Sequence, residues 1–208
     1  MKLTLLFALT LFGSCALAPM MSHRSAQTIG KDKNRIQASP GISVLGVSYE
    51  RGLSENWDLG VSLEQQLGFV SSVYSKYALI NQDQGFSWAL SGGGFVGSSI
   101  ANTSGAYGGS VVSWKKDKIE FFIFPRLNHV NWHGANLSSN ENDQILVDFI
   151  NSAANITLNY VQVSAGFNFY SSGSFNMGFG ASYFNFLDNK NLSSSDAWLP
   201  EIVLGWNF

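Results

Sequence analysis

The chain has 208 residues, a formal net charge of −2 and only 12% charged side chains, against about 25% in an ordinary soluble domain. Removing an N-terminal export segment takes away Lys2 and moves the charge to −3, which speaks against a nucleic-acid binder. Beyond that segment no apolar run approaches the roughly 20 residues of a spanning helix, so the chain is either a tightly packed soluble β protein or a membrane barrel.

Met1 to about Ala18 reads as a secretory signal, with Lys2 as its positive start and Leu3 to Phe12 as its apolar stretch. Two cleavage sites compete. Phe12-Gly13-Ser14-Cys15 resembles a lipobox, with Phe12 where Leu is usual, and cleavage before Cys15 would lipidate that residue. Ala16-Leu17-Ala18 is an A-x-A site, but Pro19 follows the cut and is unfavourable there. The lipobox is preferred, because a lone cysteine in an exported chain is a liability unless something uses it. With Cys15 the only cysteine, no intrachain disulfide holds the fold. Residues 19–34 are polar and are expected to form a periplasmic linker to a barrel over 35–208.

A short first strand fits Arg35 to Ser39, before a Pro40-Gly41 turn. A second runs Ser43 to Arg51, with Leu45, Val47 and Tyr49 opposite Ser48 and Glu50. After the turn at 52–56, Trp57, Leu59, Val61 and Leu63 alternate with Asp58, Gly60, Ser62 and Glu64, the cleanest two-faced strand in the chain. The fourth, Phe69 to Ile80, sets Val73, Tyr77 and Leu79 against Lys76. Phe86, Trp88 and Leu90 open a fifth, which passes into Gly92-Gly93-Gly94. Residues 102–105 read as a loop and Ala106 to Trp114 as the sixth strand. The seventh, Ile119 to Trp132, sets Phe121, Ile123 and Leu127 against Glu120 and Arg126. The eighth spans Ile156 to Tyr170 and the ninth Phe175 to Phe186, both strictly alternating. Short turns at 52–56, 81–85, 115–118 and 171–174 alternate with loops around Asn102, at 134–155 and at 187–196 that tend to be longer. Membrane barrels have short periplasmic turns and longer outer loops.

The tenth strand ends the chain as Glu201-Ile202-Val203-Leu204-Gly205-Trp206-Asn207-Phe208. Ile202, Leu204, Trp206 and Phe208 share one face, as a lipid-facing barrel strand requires. This stretch resembles the terminal strand signal of bacterial outer-membrane barrels, which implies barrel-assembly machinery as a partner that reads Leu204, Trp206 and Phe208. The stretch 46–62 resembles predicted barrel lipoproteins of Gram-negative bacteria through Tyr49, Gly52-Leu53-Ser54-Glu55-Asn56 and Asp58-Leu59-Gly60. That resemblance covers one hairpin and implies architecture, not an activity.

The expected fold is therefore an all-β, transmembrane, antiparallel up-and-down barrel of about ten strands, with eight or twelve left open. Outer-membrane lipids surround it, and an acyl group on Cys15 anchors it from the periplasmic side. By parity Glu50, Asp58, Glu64, Glu120 and Glu201 face the lumen with Lys76 and Arg126. Charges there must be paired or hydrated, so the lumen is either a salt-bridged filling or a narrow, slightly acidic passage. Glu120 and Arg126 lie about 20 Å apart along one strand, which leaves Glu64 or Glu50 as partners for Arg126 across the lumen.

No cofactor motif and no metal set stands out. His129 and His133 are separated by about 13 Å on a strand, too far to share an ion. The glycine-rich stretch 91–97 lacks the Lys-Ser/Thr of a phosphate loop. Within 134–155, Ile145, Leu146, Phe149, Ile150 and Ala153 recur at helical spacing. A short amphipathic helix is expected there, packed on the barrel or engaging an unknown surface ligand. The favoured function is non-enzymatic: structural, surface-binding or a weak pore. The alternatives are a lipid-modifying acyl hydrolase or acyltransferase, which would use His129 or His133, and a secreted soluble β-sandwich or barrel that binds a ligand.

Overall fold

A computed structural model describes residues 18–20, 25–40, 44–66, 68–98, 102–133, 157–171, 174–187 and 197–208. Ten strands follow in order: β1 (Asn34–Pro40), β2 (Leu45–Ser54), β3 (Trp57–Gln65), β4 (Phe69–Ile80), β5 (Gly85–Ser98), β6 (Asn102–Lys116), β7 (Ile119–His133), β8 (Thr157–Tyr170), β9 (Phe175–Phe186) and β10 (Ala197–Asn207). Each is antiparallel to its neighbours in sequence, and β1 pairs with β10 to close the barrel. Closure leaves no unpaired edge, which is the condition for a sheet to stand in lipid. The seam is fixed by Ile36 opposite Trp206 and Ala38 opposite Leu204. It ends where Asn34 and Phe208 exchange both backbone hydrogen bonds, at 2.8 and 2.9 Å.

The two ends of the barrel differ. The strand ends joined by the turns between β2 and β3, β4 and β5, β6 and β7, and β8 and β9 lie at one end with Asn34 and Phe208; the strand ends that flank 41–44, 66–68, 99–101, 134–156 and 187–196 lie at the other. We call these the short-turn end and the long-loop end. One expectation shifts here. Residues 102–105 belong to β6, paired with β5 and β7, and the loop around Asn102 shrinks to 99–101. These small or polar residues look like loop in isolation but gain a full set of ladder partners from strands on both sides. The glycines at 92–94 lie inside a continuous β5, and the tenth strand begins at Ala197, directly after the expected 187–196 loop. Cys15, the helical pattern at 145–153 and most of the 187–196 loop lie outside the described residues.

The alternation sorts the side chains. Along β3 the odd positions Trp57 to Leu63 are exposed and the even positions Asp58 to Glu64 are buried. The same alternation along β2, β4 and β7 makes the outer wall apolar and the inner wall mixed, with Ser72, Lys76, Glu120 and Arg126 interleaved with Val70, Tyr74, Phe122, Phe124 and Val130. Val73, Phe121 and Leu127 are 56–60% exposed, whereas Glu64, Asp58, Glu120 and Gln162 are 0% exposed. A soluble barrel would reverse this arrangement. At the short-turn end the outer wall carries Trp57, Tyr77, Phe86, Trp88, Trp114, Trp206 and Phe208. The indole N–H groups of Trp57 and Trp88 donate to Ser75 and Ser110 on neighbouring strands, both at 2.6 Å, so neither depends on water. Tyr74 on β4 lies over Gly60 inside the barrel, where a Cβ would overlap its ring.

Candidate functional site

The lumen holds two groups of charges and a segment of the chain itself. Near the short-turn end, Arg35 on β1 pairs with Glu50 on β2 at 3.3 Å, Glu50 with Lys76 on β4 at 3.3 Å, and Lys76 with Asp58 on β3 at 3.1 Å. The strand registers put these groups together: Arg35 stands opposite Glu50, and Asp58 opposite Lys76. All four side chains are 8% exposed or less. Such a network is tolerable in a dry interior only because every charge has an opposite neighbour. Glu120 on β7 takes a different solution: its carboxylate accepts from Ser25 at 2.8 Å, from the Tyr170 hydroxyl, and from Asn168 at 3.4 Å.

Nearer the long-loop end, Arg126 on β7 donates to the Gln162 Oε1 of β8 through Nε at 3.0 Å and Nη2 at 2.5 Å, and to the Pro19 carbonyl. Its guanidinium carbon lies 4.9 Å from the Tyr107 ring centre. Glu64 accepts from the Met20 amide at 2.6 Å and from Gln66 at 3.2 Å. The expected cross-lumen pair of Arg126 with Glu64 or Glu50 is therefore not formed. The described part of the N-terminal stretch stands where that contact would have to pass, and its Pro19 and Met20 take one group each.

That stretch, expected to be a linker, is packed inside the barrel over its described residues. Ala18, Pro19 and Met20 are buried, as are Ser25, Ala26 and Ile29. It enters at the short-turn end, where the Asp32 amide donates to the Gly52 carbonyl at 2.9 Å and Gly30 adopts φ 88°. Gly52 must also be glycine, since a Cβ would overlap the Gly30 carbonyl. The Ile29 amide then donates to the Asp58 carboxylate at 3.2 Å, the Ala26 amide to Ser113 at 3.2 Å and the Ala18 amide to Tyr160 at 3.1 Å. Lys76 donates to the carbonyls of Gln27 at 2.8 Å and Ser25 at 3.5 Å. Asp58 and Glu64 lie at opposite ends of β3, six residues or about 20 Å apart, so the described residues 18–20 and 25–30 hold contacts over that height of the lumen.

Of the residues expected in the lumen, Glu50, Asp58, Glu64, Lys76, Glu120 and Arg126 are all buried there. Glu201 is half-buried and accepts from Ser182. Arg35, Gln162, Tyr160 and the N-terminal segment escape a reading by charge and parity. Arg35 could have been found from its place opposite Glu50 once a closed sheet was assumed. The histidines stay on the outer wall of β7. His129 bonds Asn159 at 2.8 Å, and His133 bonds Ser104 at 2.8 Å. They do not converge, and no group of three metal-ligating side chains occurs among the described residues. Ile202, Trp206 and Phe208 point outward with Leu204, and Trp206 packs on Phe175 with ring centres 5.3 Å apart.

No family model and no curated protein matches this chain. Among solved structures, the chain is similar to the N-terminal β-barrel domain of Pseudomonas aeruginosa OprF, with 15% identity, a TM-score of 0.40, and coverage of 86% of this chain and 99% of that domain. The fold itself stands on the strand pairing described above.

Proposed function

We propose that this protein spans the bacterial outer membrane as a ten-stranded barrel whose lumen is stoppered by its own N-terminal segment, and that its role is structural or surface-binding rather than conductive or enzymatic. The observation that carries this reading is the seating of residues 18–20 and 25–30 against Tyr160, Glu64, Ser113, Lys76 and Asp58 inside a wall whose outer face is apolar. An exposed apolar belt on a closed barrel matches lipid, and the described N-terminal residues occupy lumen space that a water path would need. Among the described residues no serine–histidine–acid set converges: His129 bonds Asn159 and Asn131, and His133 bonds Ser104 and no carboxylate.

The planar-bilayer test is direct. Purified, refolded protein is expected to insert without opening discrete conductance steps. Steady channels from the wild-type chain would overturn the stoppered reading and restore the pore.

Acylation of Cys15 belongs to the same proposal, but its side does not follow from the sequence alone. Cys15 lies three residues before Ala18, hence within about 11 Å of it, and Ala18 sits beside Tyr160 and Gln66 in the long-loop half. A periplasmic anchor thus requires the segment to be withdrawn from the lumen, whereas a seated segment carries the acyl group towards the long-loop side. Labelled palmitate entering the wild type but not Cys15→Ser establishes the modification. Labelling that survives the substitution removes Cys15 from the proposal.

A further inference from the structure

The contacts that hold the N-terminal segment fall mainly on its backbone. The amides of Ala18, Met20, Ala26 and Ile29 donate to Tyr160, Glu64, Ser113 and Asp58, and the carbonyls of Pro19, Ser25 and Gln27 accept from Arg126 and Lys76. Among the described residues, side-chain hydrogen bonds come from Ser25, to Glu120 at 2.8 Å, and from Gln27, whose Oε1 accepts from Lys115 at 3.4 Å. Further bonds of Gln27 and Thr28 reach the turn residues Gln82 and Glu55 at the rim. Its side chains are enclosed as well: Ala18 and Ala26 are 0% exposed, Met20 and Ile29 7%, and Ala26 packs with Ala78, Ala89, Val111 and Phe124. Main-chain hydrogen bonds supply affinity for a peptide with little regard to its sequence.

We propose that the lumen is a binding site for a polypeptide segment held mainly by its backbone, and that the N-terminal segment, through residues 18–20 and 25–30, is its tethered occupant. This rests on the stoppered-barrel reading and adds to it how the stopper is recognised. The buried acids and bases of the wall then have a second role: Asp58, Glu64, Lys76 and Arg126 supply acceptors and donors to the backbone of the described residues. A free peptide with the sequence of residues 18–30 takes the same place when the tethered segment is disabled.

Proline supplies the test, because it deletes an amide donor and leaves the rest of the chain in place. In the full-length protein, Met20→Pro with Ile29→Pro removes the donors to Glu64 and Asp58, while Met20→Leu with Ile29→Val keeps both. Each variant is refolded, checked for heat-modifiable migration and measured in planar bilayers. The expected result is conductance from the proline variant alone, blocked by a synthetic peptide of residues 18–30 and not by that peptide carrying the two prolines. A proline variant that stays closed overturns recognition through the backbone. One that opens but ignores the wild-type peptide makes the segment a mere filler and overturns the binding site. Conductance from the unmodified protein instead removes the stoppered reading beneath both. If the proline variant does not fold, a specific protease site is inserted between Lys31 and Asp32, both exposed, and cut after refolding. Labelled peptide that enters the nicked barrel supports the site, and a nicked barrel that excludes it overturns the site.

Discussion

Lys76 is 1% exposed, yet its ammonium meets two carboxylates and two backbone carbonyls, those of Glu50, Asp58, Ser25 and Gln27. It therefore joins the wall of the barrel to its stopper. Lys76→Met leaves two buried carboxylates short of a cation, and removing one partner of a buried pair costs about 3–5 kcal/mol. A loss of that order is expected in urea unfolding of the refolded protein in detergent, together with easier proteolysis of the N-terminal segment. Asp58→Asn keeps an oxygen for the Ile29 amide and is expected to cost less; equal losses would mean that Lys76 acts only within the wall. Arg126 behaves differently. Its hydrogen-bond partners are Gln162 and the Pro19 carbonyl, both neutral, so Arg126→Met strands no carboxylate bound directly to it. The expected loss is about 1–3 kcal/mol, the cost of buried acceptors left without donors. A loss as large as that of Lys76→Met would show that Arg126 balances Glu64 at longer range.

At the scale of the strand, β10 has two tasks. Its outward residues meet lipid, and its backbone closes the barrel against β1. Leu204 stands opposite Ala38 and Met177, within the paired stretch, whereas Trp206 lies one step from the rim where Asn34 meets Phe208. A lysine on the lipid face costs roughly 2–4 kcal/mol at the midplane and little near the interface. Leu204→Lys is therefore expected to destabilise the folded barrel in lipid more than Trp206→Lys does, as read by urea titration in liposomes. The reverse order would place the membrane elsewhere along the barrel. Deleting Phe208 removes both backbone bonds to Asn34 at the seam along with a ring that is 65% exposed. Insertion in cells is expected to fall while refolding in detergent stays near normal. A second feature of an element lies on β7, where the pairing with β6 skips Ser110 and Val111 opposite Phe124 and Pro125. Proline has no amide to give the ladder, and the strand passes it because the pairing resumes in the same register at Val112 and Ile123.

The whole molecule turns an ordinary protein inside out across its wall and then fills the inside with its own chain. The outer face is aromatic and aliphatic, the lumen holds the paired charges beside an apolar cluster that includes Phe95, Tyr107, Tyr160 and Phe184, and the net result suits a low-charge sequence placed in lipid. Closure by ten antiparallel ladders predicts an unboiled sample that migrates apart from a boiled one in a detergent gel. An unshifted band would count against a membrane barrel and favour a soluble β protein. The ten-strand count also sets Asn34 and Phe208 side by side, so the chain leaves the sheet at the end from which residues 18–30 enter the lumen.

The number of strands, their faces and the inward charges were legible in the sequence, because a period of two is a local property and survives without knowledge of neighbours. Asp58 to Glu64 and Phe121 to Leu127 could be sorted this way from the residues alone. Other features depended on partners distant in the chain. Residues 102–105 looked like loop until β5 and β7 supplied their hydrogen bonds. Arg126 looked like half of an ion pair until Gln162 and Pro19 were brought beside it. Residues 19–34 looked like a linker because their polarity is what a solvated tether shows, and nothing local distinguishes that from a strand of backbone solvated by a polar lumen. The sequence by itself determined which side chains face inward and outward; only the tertiary structure decided what the inward ones hold, since the lumen does not exist until β1 meets β10.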